Sequence, residues 1–430
     1  MIELSKKIDT QTARIGIVGL GYVGLPLAIE FAKIGCSVTG FEIDAAKVKS
    51  ILKGTSYISD VSSAVVKVLC ERKTLTATAD FSKLSRMEVI IICVPTPLRK
   101  SKDPDVSYII SAAKKVAAHL RKGQLVILES TTYPGTTREL VLPMLEESGL
   151  KCGKDFYLAF SPERVDPGNQ RYSIHNTTKV VGGITAQCSE LSAALYKKIT
   201  TVLIVSSTET AEMVKLLENT FRAVNIALIN EVALMCDKLK LDVWEIIDAA
   251  ATKPFGYIPF YPGPGIGGHC IPLDPHYLSW KLKTLNFYSR FIELAGELNS
   301  KMPEYLVNKV IDALNARGKS IIKSKVLILG VAYKKDVGDV RESPAIDVIK
   351  LLLEKKGTID YFDPLVKSVN LGDHVMKSLA DLKTIGRYDA VVIVTNHTGM
   401  DYKLIVQHSR LIIDSRNATK GIVSDKIIKL

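Results

Sequence analysis

Short, uniformly apolar runs alternate with helical patterns along the first part of the chain. Strands that are buried on both faces of a parallel sheet give such continuous hydrophobic runs, whereas strands with one wet face alternate polar and apolar positions. The runs assigned to strands here are residues 14–19, 36–41, 89–94, 125–129 and 157–160. Their alternation with helices predicts a doubly wound α/β sheet.

One long helical pattern follows at residues 209–239, and it contains neither glycine nor proline. An uninterrupted pattern rich in Leu, Ala, Met and Val predicts a single long helix, which we interpret as the link between two domains. A second helical region includes residues 290–299 and continues past Pro303 to about residue 316.

The alternation of strands and helices resumes at residue 325. Strands are predicted at residues 326–330, 359–362, 390–394 and 411–413, and a helix at 343–356. The whole pattern predicts an α/β fold with two Rossmann-like doubly wound domains, joined by a long central helix and a helical middle domain. We place the domains at residues 1–205, 206–317 and 318–430.

A glycine-rich turn follows the first predicted strand directly and runs into a helical pattern. In a dinucleotide site the first glycine makes the tight turn, the second admits the pyrophosphate at the helix N-terminus, and the third allows close packing of helix on strand. The turn consists of Gly19, Leu20, Gly21, Tyr22, Val23 and Gly24. It predicts a dinucleotide site.

Acidic residues at the end of the second predicted strand support this site. Glu42 and Asp44 lie where an acid should bind the adenosine ribose, and Lys47 follows in the next turn. An acid there disfavours a 2′-phosphate, so the sequence predicts NAD rather than NADP. The alternative is a solvated strand end without a ligand.

Later strand ends should face the same cofactor, because ligands sit beyond the carboxyl ends of strands in a doubly wound sheet. Pro95 and Thr96 follow one strand and Thr131 follows the next. Residues of these types are otherwise ordinary turn residues. Glu163 lies on a proline-bounded loop after a further strand, where a carboxylate could act as a base.

Composition and charge narrow the function classes. Apolar residues make up 47% and charged residues 24% of the chain, as in a globular protein with a sizeable core. The net charge of +12 suits a polyanionic ligand such as a nucleotide, and no nucleic-acid-binding module is recognisable. No run reaches the ~20 apolar residues of a membrane helix. We therefore expect neither nucleic acid nor membrane as a partner.

The cysteines also bear on the compartment. Seven cysteines occur without a CxxC pair, and their odd number argues against a complete disulfide framework. The N-terminal residues show no apolar core of an export signal. We expect reduced thiols, no metal site and a cytoplasmic protein.

A glycine-rich loop at residues 262–274 delivers Cys270 and, four residues on, Asp274. Glycines lack a Cβ and would let the loop approach a ligand such as a sugar. Cys270 is either a small buried hydrophobe or a nucleophile. Lys215 and Asn219 are four apart on the long helix, so they share a face and can converge on one ligand, although surface lysines are often merely solvated.

Two further segments carry candidate ligand contacts. The loop before the cysteine is rich in aromatic residues at 255–261, which suits a flat ring or a sugar face or else covers the core. The first loop of the second α/β unit lacks GxGxxG and instead carries Lys334, Lys335 and Arg341. Such a basic loop predicts a second phosphate-bearing ligand that is held by side chains.

Several motifs together resemble the UDP-glucose/GDP-mannose dehydrogenase family over nearly the full length. Besides the Lys215 and Asn219 helix, these are GLGYVGLP, VPTP, ESTTYPGTT, SPERVDPGN, GPGIGGHCIPLDPHYLSWK and GVAYKKDVGDVRESPA. The cysteine-loop string looks most like that of the members that oxidise UDP-N-acetylglucosamine. The resemblance implies an N-terminal NAD-binding domain, a central domain and a C-terminal UDP-sugar-binding domain.

The resemblance also implies an activity, the oxidation of a sugar C6 alcohol to a carboxylate in two NAD-dependent steps. Cys270 would capture the aldehyde as a thiohemiacetal, and a second hydride transfer would leave a thioester that water hydrolyses. Lys215 and Asn219 would stabilise oxyanions, and Asp274 would act as a base or activate water. Glu163 would assist hydrolysis. Thr131 would position water and cofactor.

Sets of contact residues follow from the same resemblance. The cofactor set is Gly19, Gly21, Tyr22, Val23, Gly24, Glu42, Asp44, Lys47, Pro95, Thr96, Thr131 and Arg341. The substrate set is Glu163, Arg164, Val165, Lys215, Asn219, Phe255, Tyr257, Phe260, Tyr261, Gly267, His269, Lys334 and Arg416. The resemblance further implies a homodimer or higher homo-oligomer, with the long helix as the dimer element.

The chain departs from its relatives at two places. Many carry a second glutamate four residues after the first, where this chain has Pro167, and Asp166 is the nearest substitute. His269 and Pro272 differ from the glucose-type pattern, which favours an N-acetylhexosamine. UDP-N-acetylmannosamine or UDP-glucose remain alternative substrates.

More distant alternatives are a β-hydroxyacid dehydrogenase and an NAD-sensing protein without redox chemistry. The first needs no cysteine and no second nucleotide domain. The second leaves the lysine, asparagine, cysteine and aspartate as coincidence.

Overall fold

The computed structural model describes residues 1–58, 61–99, 103–166, 168–169, 171–372 and 374–430. The chain forms two compact units. Unit 1 contains Met1–Glu218 and His276–Phe287, and unit 2 contains Asn219–Pro275 and Tyr288–Leu430. None of the helices in these ranges combines the length and the apolar character that a membrane span requires.

Helices occur in both units. In chain order they are α1 Ile2–Asp9, α2 Gly24–Lys33, α3 Ala45–Leu52, α4 Ser63–Glu71, α5 Ser107–Ala117, α6 Leu142–Glu146, α7 Ala186–Tyr196, α8 Thr208–Leu239, α9 Val243–Ala250, α10 Asp274–Lys283, α11 Arg290–Asn315, α12 Pro344–Glu354 and α13 Tyr402–His408. A π-helical segment, Thr136–Val141, leads into α6.

The strands are short. In chain order they are β1 Ile15–Val18, β2 Val38–Phe41, β3 Leu75–Thr78, β4 Val89–Ile92, β5 Leu125–Leu128, β6 Tyr157–Phe160, β7 Lys179–Gly183, β8 Val202–Ile204, β9 Lys325–Leu329, β10 Thr358–Phe362, β11 Ser368–Asn370, β12 Val375–Lys377, β13 Ala390–Ile393, β14 Ile412–Asp414 and β15 Ile427–Lys429.

The sheet of unit 1 has the order β3-β2-β1-β4-β5-β6-β7-β8, and its strands are parallel except where β7 pairs antiparallel with β6. Successive residues of a strand face opposite sides of the sheet. Ile91 accordingly packs in one cluster with Leu27 of α2, and its neighbour Ile90 packs in another with Ile109 of α5. Both faces are covered, which explains the uniformly apolar runs in the sequence.

Helix α1 was not predicted. Its sequence is mostly polar, but Leu4 and Ile8 lie one turn apart and are buried. Two apolar positions give too weak a period to stand out among charged neighbours. The helix packs against α7 and so belongs to the core of unit 1.

Helix α8 is continuous over 32 residues, as the sequence predicted. At a rise of about 1.5 Å per residue it is about 48 Å long. The boundary between the two units falls within it, between Glu218 and Asn219.

The main sheet of unit 2 is fully parallel, with the order β10-β9-β13-β14-β15. On one face Ile328 packs with Val310 of α11 and Val348 of α12, and on the other Leu329 packs with Ile405 of α13. Helix α11 continues through Pro303, as predicted. The predicted fold class, two Rossmann-like sheets with a long helix and a helical middle part, is confirmed.

Candidate active site

The three glycines of the first turn are required for different reasons. Gly19 has φ +92°, and a Cβ there would lie 2.6 Å from the carbonyl oxygen of Cys93. A Cβ on Gly24 would overlap the carbonyl oxygen of Gly19, whereas a Cβ on Gly21 would meet nothing within 4 Å. The packing of the protein therefore requires the outer two glycines. The space at Gly21 fits the approach of a ligand.

Helix α2 begins directly after this turn. Val23 precedes its first residue and has no side-chain oxygen or nitrogen that could cap the helix. The first N–H groups and the positive end of the helix dipole are therefore suited to a phosphate. Tyr22 is half-exposed beside them.

Glu42 lies after β2 and supports the turn from below. Its carboxylate accepts hydrogen bonds from the backbone N–H groups of Leu20 (3.1 Å), Ile43 (2.9 Å) and Asp44 (3.2 Å). The Lys47 ammonium lies 3.9 Å from the same carboxylate. Glu42 is buried, so these bonds fix the shape of the turn, and its contact with a ribose stays a prediction.

Asp44 is the N-cap of α3, and its carboxylate accepts the N–H groups of Ala46 (2.8 Å) and Lys47 (3.4 Å). Thr96 is buried after β4, and its carbonyl oxygen accepts the hydroxyl of Tyr277 at 2.7 Å. Pro95 beside it is exposed. The predicted cofactor residues of unit 1 thus all lie at the carboxyl ends of β1, β2, β4 and β5 or in the segments that follow them.

Thr131 and Lys215 are brought together in unit 1. The Lys215 ammonium donates to the Thr131 hydroxyl at 2.5 Å, although the two residues are far apart in sequence. Lys215 is only 8% exposed, which argues against a solvated surface lysine. A buried cation held by a hydroxyl is suited to an oxygen that gains negative charge.

Glu212 lies one turn before Lys215 on α8 and was missed in the sequence. Its carboxylate accepts the N–H groups of Gly135 (2.6 Å) and Thr137 (2.8 Å) and the Thr137 hydroxyl (2.7 Å). Burial raises the pKa of Glu212 to about 7, against these hydrogen bonds. Glu212 ties the loop after β5 to α8. The signal in the sequence was its three-residue spacing from Lys215.

Asn219 and Asp274 are brought together in unit 2, where the Asn219 amide donates to the Asp274 carboxylate at 2.6 Å. Asp274 is buried and is the first residue of α10. Its N–H donates to the carbonyl oxygen of Cys270 at 2.8 Å, so the cysteine lies in the turn directly before this helix. Cys270 is partly exposed and is not part of a disulfide.

Neighbouring protein lies close to the glycines of the cysteine loop. A Cβ on Gly263 would overlap the guanidinium of Arg416, and a Cβ on Gly267 would lie 2.7 Å from the carbonyl oxygen of Glu342. A Cβ on Gly268 would lie 2.8 Å from the ring of Tyr333. Close packing against protein explains these glycines, and room for a sugar at this loop stays a prediction.

A chain of buried amides holds the start of the cysteine loop. The side-chain oxygen of Asn230 accepts the N–H of Gly263 at 3.0 Å, and its amide nitrogen donates to Asn299 at 2.9 Å. Asn299 in turn donates to the Ala223 carbonyl oxygen at 3.2 Å. The loop is thus anchored on α8 and α11.

The basic loop after β9 is held by a buried acid. Asp363 accepts the N–H groups of Val331 (2.8 Å) and Ala332 (3.0 Å) and also contacts the His397 ring at 3.0 Å. Lys334 is partly buried in this loop, and the Arg341 guanidinium pairs with Asp339 through two nitrogens at 2.9 and 2.7 Å.

The loop also meets the cysteine loop directly. The N–H of Gly268 donates to the carbonyl oxygen of Arg341 at 3.0 Å. Arg416, which lies against Gly263 of the cysteine loop, donates to the Val394 carbonyl oxygen at 2.9 Å. Burial lowers the pKa of Arg416 to about 10, against the attraction of Asp414.

Glu163 is buried rather than open on its loop. Its carboxylate accepts the Lys179 ammonium at 2.8 Å and the Val165 N–H at 2.7 Å. Burial alone would raise the pKa of Glu163, but the attraction of Lys179 outweighs it and lowers the pKa. A carboxylate with a low pKa is a weak base, so Glu163 by itself is disfavoured as the base that activates water.

Other residues of the Glu163 loop are also engaged. Arg164 pairs with Glu218 through two nitrogens at 3.0 and 2.6 Å and donates to the Thr178 carbonyl oxygen at 2.5 Å. Pro167, where relatives carry the second glutamate, lies outside the described residues.

The aromatic residues before the cysteine loop pack mainly on protein. Phe260 packs edge-on against Phe221 of α8, with ring centroids 5.8 Å apart. Tyr261 stacks on Trp244 of α9, with ring centroids 5.9 Å apart. Phe255 is 71% exposed and Tyr257 is partly exposed. These contacts explain Phe260 and Tyr261 as packing residues. Their contact with a sugar, like that of His269, stays a prediction.

Comparison with known proteins matches three consecutive domains of one family. Its NAD binding domain matches residues 13–200, its central domain 209–301 and its UDP binding domain 327–421. UDP-N-acetyl-D-glucosamine 6-dehydrogenase of Pseudomonas aeruginosa is 35% identical over 388 residues, which are 90% of this chain and 90% of that protein. UDP-N-acetyl-D-mannosamine dehydrogenase of Pyrococcus horikoshii is 36% identical over 415 residues, covering 95% and 96%.

A solved structure gives the same result for the fold. The UDP-D-ManNAc dehydrogenase structure from Pyrococcus horikoshii has a TM-score of 0.88 and 35% identity, and the match covers 97% of this chain and 98% of that chain. A UDP binding domain is not needed by a β-hydroxyacid dehydrogenase, so that alternative is set aside. The chain therefore belongs to the UDP-glucose/GDP-mannose dehydrogenase family, and it is an NAD-dependent oxidoreductase.

Proposed function

We propose that the protein oxidises the C6 alcohol of a UDP-N-acetylhexosamine, with UDP-N-acetylglucosamine as the first candidate, to the uronic acid. The observation that carries this is the pair of arrangements in the two units, Thr131 with Lys215 and Asn219 with Asp274 before Cys270. Such groups are needed to stabilise oxyanions and to form a covalent intermediate. Similarity to UDP-N-acetylglucosamine and UDP-N-acetylmannosamine dehydrogenases supports the substrate class.

In this scheme bound NAD would supply the hydride acceptor for each of the two oxidations at C6. Gly19, Gly21 and Gly24 would hold its pyrophosphate, with Glu42 and Asp44 near its ribose. Lys215 and Asn219 donate to the oxygen on C6 as it gains charge, and Asp274 takes the alcohol proton in the first step.

Cys270 provides the covalent step. Its sulfur adds to the aldehyde carbon and the thiol proton passes to the aldehyde oxygen, giving a thiohemiacetal. Loss of the hydroxyl proton and of a second hydride then leaves a thioester. Water then attacks the thioester carbon, the carbon–sulfur bond breaks and the thiol is restored. One alcohol and one water give one carboxylate, two hydride ions and three protons. Glu163 assists this hydrolysis, and Thr131 positions the water.

Lys334, Arg341 and Arg416 would bind the UDP part, together with the residues of the Glu163 loop. We keep the three-domain division at residues 1–205, 206–317 and 318–430. It is supported by matched domain ranges that follow similar limits.

We also propose a homo-oligomer in the cytoplasm. Large exposed apolar residues recur every seven positions on α8, at Phe221, Leu228 and Met235, as on a helix that packs against another copy. Sedimentation of wild type and Leu228→Glu tests this, since a monomer in both would contradict it. The scattered cysteines suit a reducing compartment.

The test of the activity counts NADH formed per sugar consumed. UDP-glucose, UDP-N-acetylglucosamine, UDP-N-acetylmannosamine and GDP-mannose are compared side by side. We expect two NADH per sugar for an N-acetylhexosamine and loss of full oxidation in Cys270→Ala. Cys70→Ala, which removes another partly exposed cysteine, should behave like wild type. A ratio of one NADH would contradict the scheme.

A further inference from the structure

A buried group of charged side chains lies behind Glu163 in unit 1. Its members are Glu129 at the end of β5, Lys179 at the start of β7, Tyr196 at the end of α7 and Glu163 itself. The side chains of Glu129, Lys179 and Glu163 are 0%, 5% and 10% exposed. None of these except Glu163 was singled out in the sequence.

Lys179 links the members of this group. The Lys179 ammonium pairs with Glu129 and with Glu163, the latter at 2.8 Å, and the Tyr196 hydroxyl donates to Glu129 at 2.6 Å. Glu163 is the most exposed of the three charged side chains, and Glu129 is the most deeply buried. The Lys179 ammonium contacts both carboxyl groups, which also interact directly with each other.

The charges in this group do not balance. Two buried carboxylates face one buried ammonium, and a second negative charge in a low-dielectric interior is costly. Burial raises the pKa of Glu129, although Lys179 opposes the effect, while that of Glu163 is lowered. Such a pair titrates as a unit and can hold one additional proton. The Tyr196 hydroxyl and the Cys93 thiol are further titratable neighbours of these carboxyl groups.

We propose that Lys179 and Glu129 are positioning residues that carry the proton from thioester hydrolysis away from Glu163. This inference rests on the proposed function. As water attacks the thioester carbon, its proton goes to Glu163. Lys179 gives one proton to Glu129 and takes the proton from Glu163, so its charge is unchanged. Glu163 is again an ionised base, and Glu129 holds the proton until it is released.

The relay removes the difficulty that a carboxylate paired with lysine is a weak base. The proton does not have to stay on Glu163, because the Glu129 carboxylate is fully buried behind Lys179 and burial favours its protonated form. It also gives a function to a lysine that is more deeply buried than ordinary lysines are.

Lys179→Arg separates charge from proton transfer. Arginine keeps the cation but is not deprotonated in proteins, so it cannot pass a proton. We expect the variant to release two NADH per active site in a first burst and then to turn over about 100-fold more slowly than wild type. Mass spectrometry of the intact protein should show the sugar bound as the thioester on Cys270.

Glu129→Gln is the second variant, since it keeps the size of the side chain and removes the proton acceptor. We expect the same accumulation of thioester and a flattened dependence of turnover on pH near neutrality. Glu88→Gln is the matched control, because Glu88 is a buried acid of unit 1 that pairs with Arg14 and not with this group. It should not accumulate thioester.

The outcomes separate the two proposals. One NADH per sugar in wild type would overturn the proposed function. Two NADH in wild type with normal hydrolysis and an unchanged pH profile in folded Lys179→Arg or Glu129→Gln would overturn the relay alone. A change in KM or stability without thioester on Cys270 would also overturn it, because that is what a merely structural role predicts.

Discussion

The two Rossmann-like sheets solve the same steric problem in the same way. In unit 1 the chain leaves β1 through Gly19 at φ +92°, and in unit 2 it leaves β9 through Gly330 at φ +80°. At each position a Cβ would run into a backbone carbonyl oxygen from the adjacent strand's end, that of Cys93 or that of Thr395. The first glycine after the first strand is thus set by the sheet itself and carries no information about the ligand.

The support beneath each loop is also shared. Glu42 after β2 accepts the N–H of Leu20, and Asp363 after β10 accepts the N–H groups of Val331 and Ala332. In both cases an acid at the end of the second strand binds the loop that follows the first strand. These acids therefore have a structural function in both units.

The difference begins at the next helix. Val23 cannot cap α2, whereas the hydroxyl of Ser343 accepts the Ala345 N–H at the start of α12, and Pro344 there has no N–H. The helix N-terminus is open for a phosphate in unit 1 and closed in unit 2. This teaches that one sheet offers backbone N–H groups and the other must use cationic side chains.

The largest predicted effect is on stability, and it distinguishes the glycines that the packing of the sheets requires from Gly21, which is left for a ligand. Gly24→Ala and Gly330→Ala should each lower the free energy of unfolding by about 3 kcal/mol or more, through overlap with backbone. Gly21→Ala should change it by less than ~0.5 kcal/mol and weaken NAD binding at least about tenfold, ~1.4 kcal/mol. Denaturant unfolding and calorimetric titration measure both. Normal NAD affinity in Gly21→Ala would remove the distinction.

The second effect concerns the two acids. Asp363 accepts hydrogen bonds from more backbone N–H groups than Glu42 does, including those of Leu365 and Val366. Asp363→Asn should therefore lower the free energy of unfolding by about 2–3 kcal/mol, and Glu42→Gln should lower it by about 1–2 kcal/mol. Equal costs would mean that the number of donors does not matter.

The cost of Asp363→Asn should depend on pH. Burial would raise the pKa of Asp363, but the hydrogen bonds of His397 and the loop lower it. A carboxyl group whose pKa is lower in the folded protein stabilises the fold above its unfolded pKa of about 3.9. This stabilisation is lost as the pH falls through the folded pKa. The difference between wild type and variant in unfolding experiments should therefore be full at pH 7 and shrink below about pH 4.

The third effect tests side-chain binding of phosphate in unit 2. Lys334→Ala and Arg341→Ala should weaken binding of UDP about ten- to a hundredfold and reduce its dependence on salt, because each removes a charged donor. NAD binding should be unchanged in Lys334→Ala. Lys335→Ala is the control, since this lysine is exposed on the same loop. A control that weakens binding equally would indicate general attraction rather than a site.

The smallest effect concerns the ribose end of unit 1. Asp44→Asn removes a negative charge but keeps the cap of α3, since asparagine caps helices as well as aspartate does. We expect unchanged stability and a shift of about threefold in kcat/KM from NAD toward NADP, about 0.7 kcal/mol. An unchanged ratio of the two cofactors would argue against a role for Asp44 at the ribose.

Most of the sheet architecture could be predicted because strands that are buried on both faces are continuous apolar runs in the sequence. The strand at Val89–Ile92 is a run of four apolar residues, and the helix at Thr208–Leu239 has no breaker. The short edge strands β3, β8 and β15 were not predicted, because partly exposed strands lack such runs.

Contacts between distant residues could not be predicted in the same way. Lys179 pairs with a glutamate 50 positions away, and Glu212 binds a loop 75 positions away. Nothing local distinguishes these residues from solvated charges, since only the fold makes them buried. The close packing of the glycines at 263–268 could not be predicted for the same reason, because their neighbours come from other parts of unit 2.

The hydrogen bond from the Gly268 N–H to the Arg341 carbonyl oxygen fixes the distance between two loops of unit 2. It joins the loop that carries the nucleophile to the loop that carries the cations, with Tyr333 filling the space between them. Under the proposed function, the distance from diphosphate to C6 is then fixed by the protein before any ligand arrives. A sugar linked through one phosphate fewer, or an insertion of one residue in either loop, would place C6 out of reach of Cys270 even if every contact residue were retained.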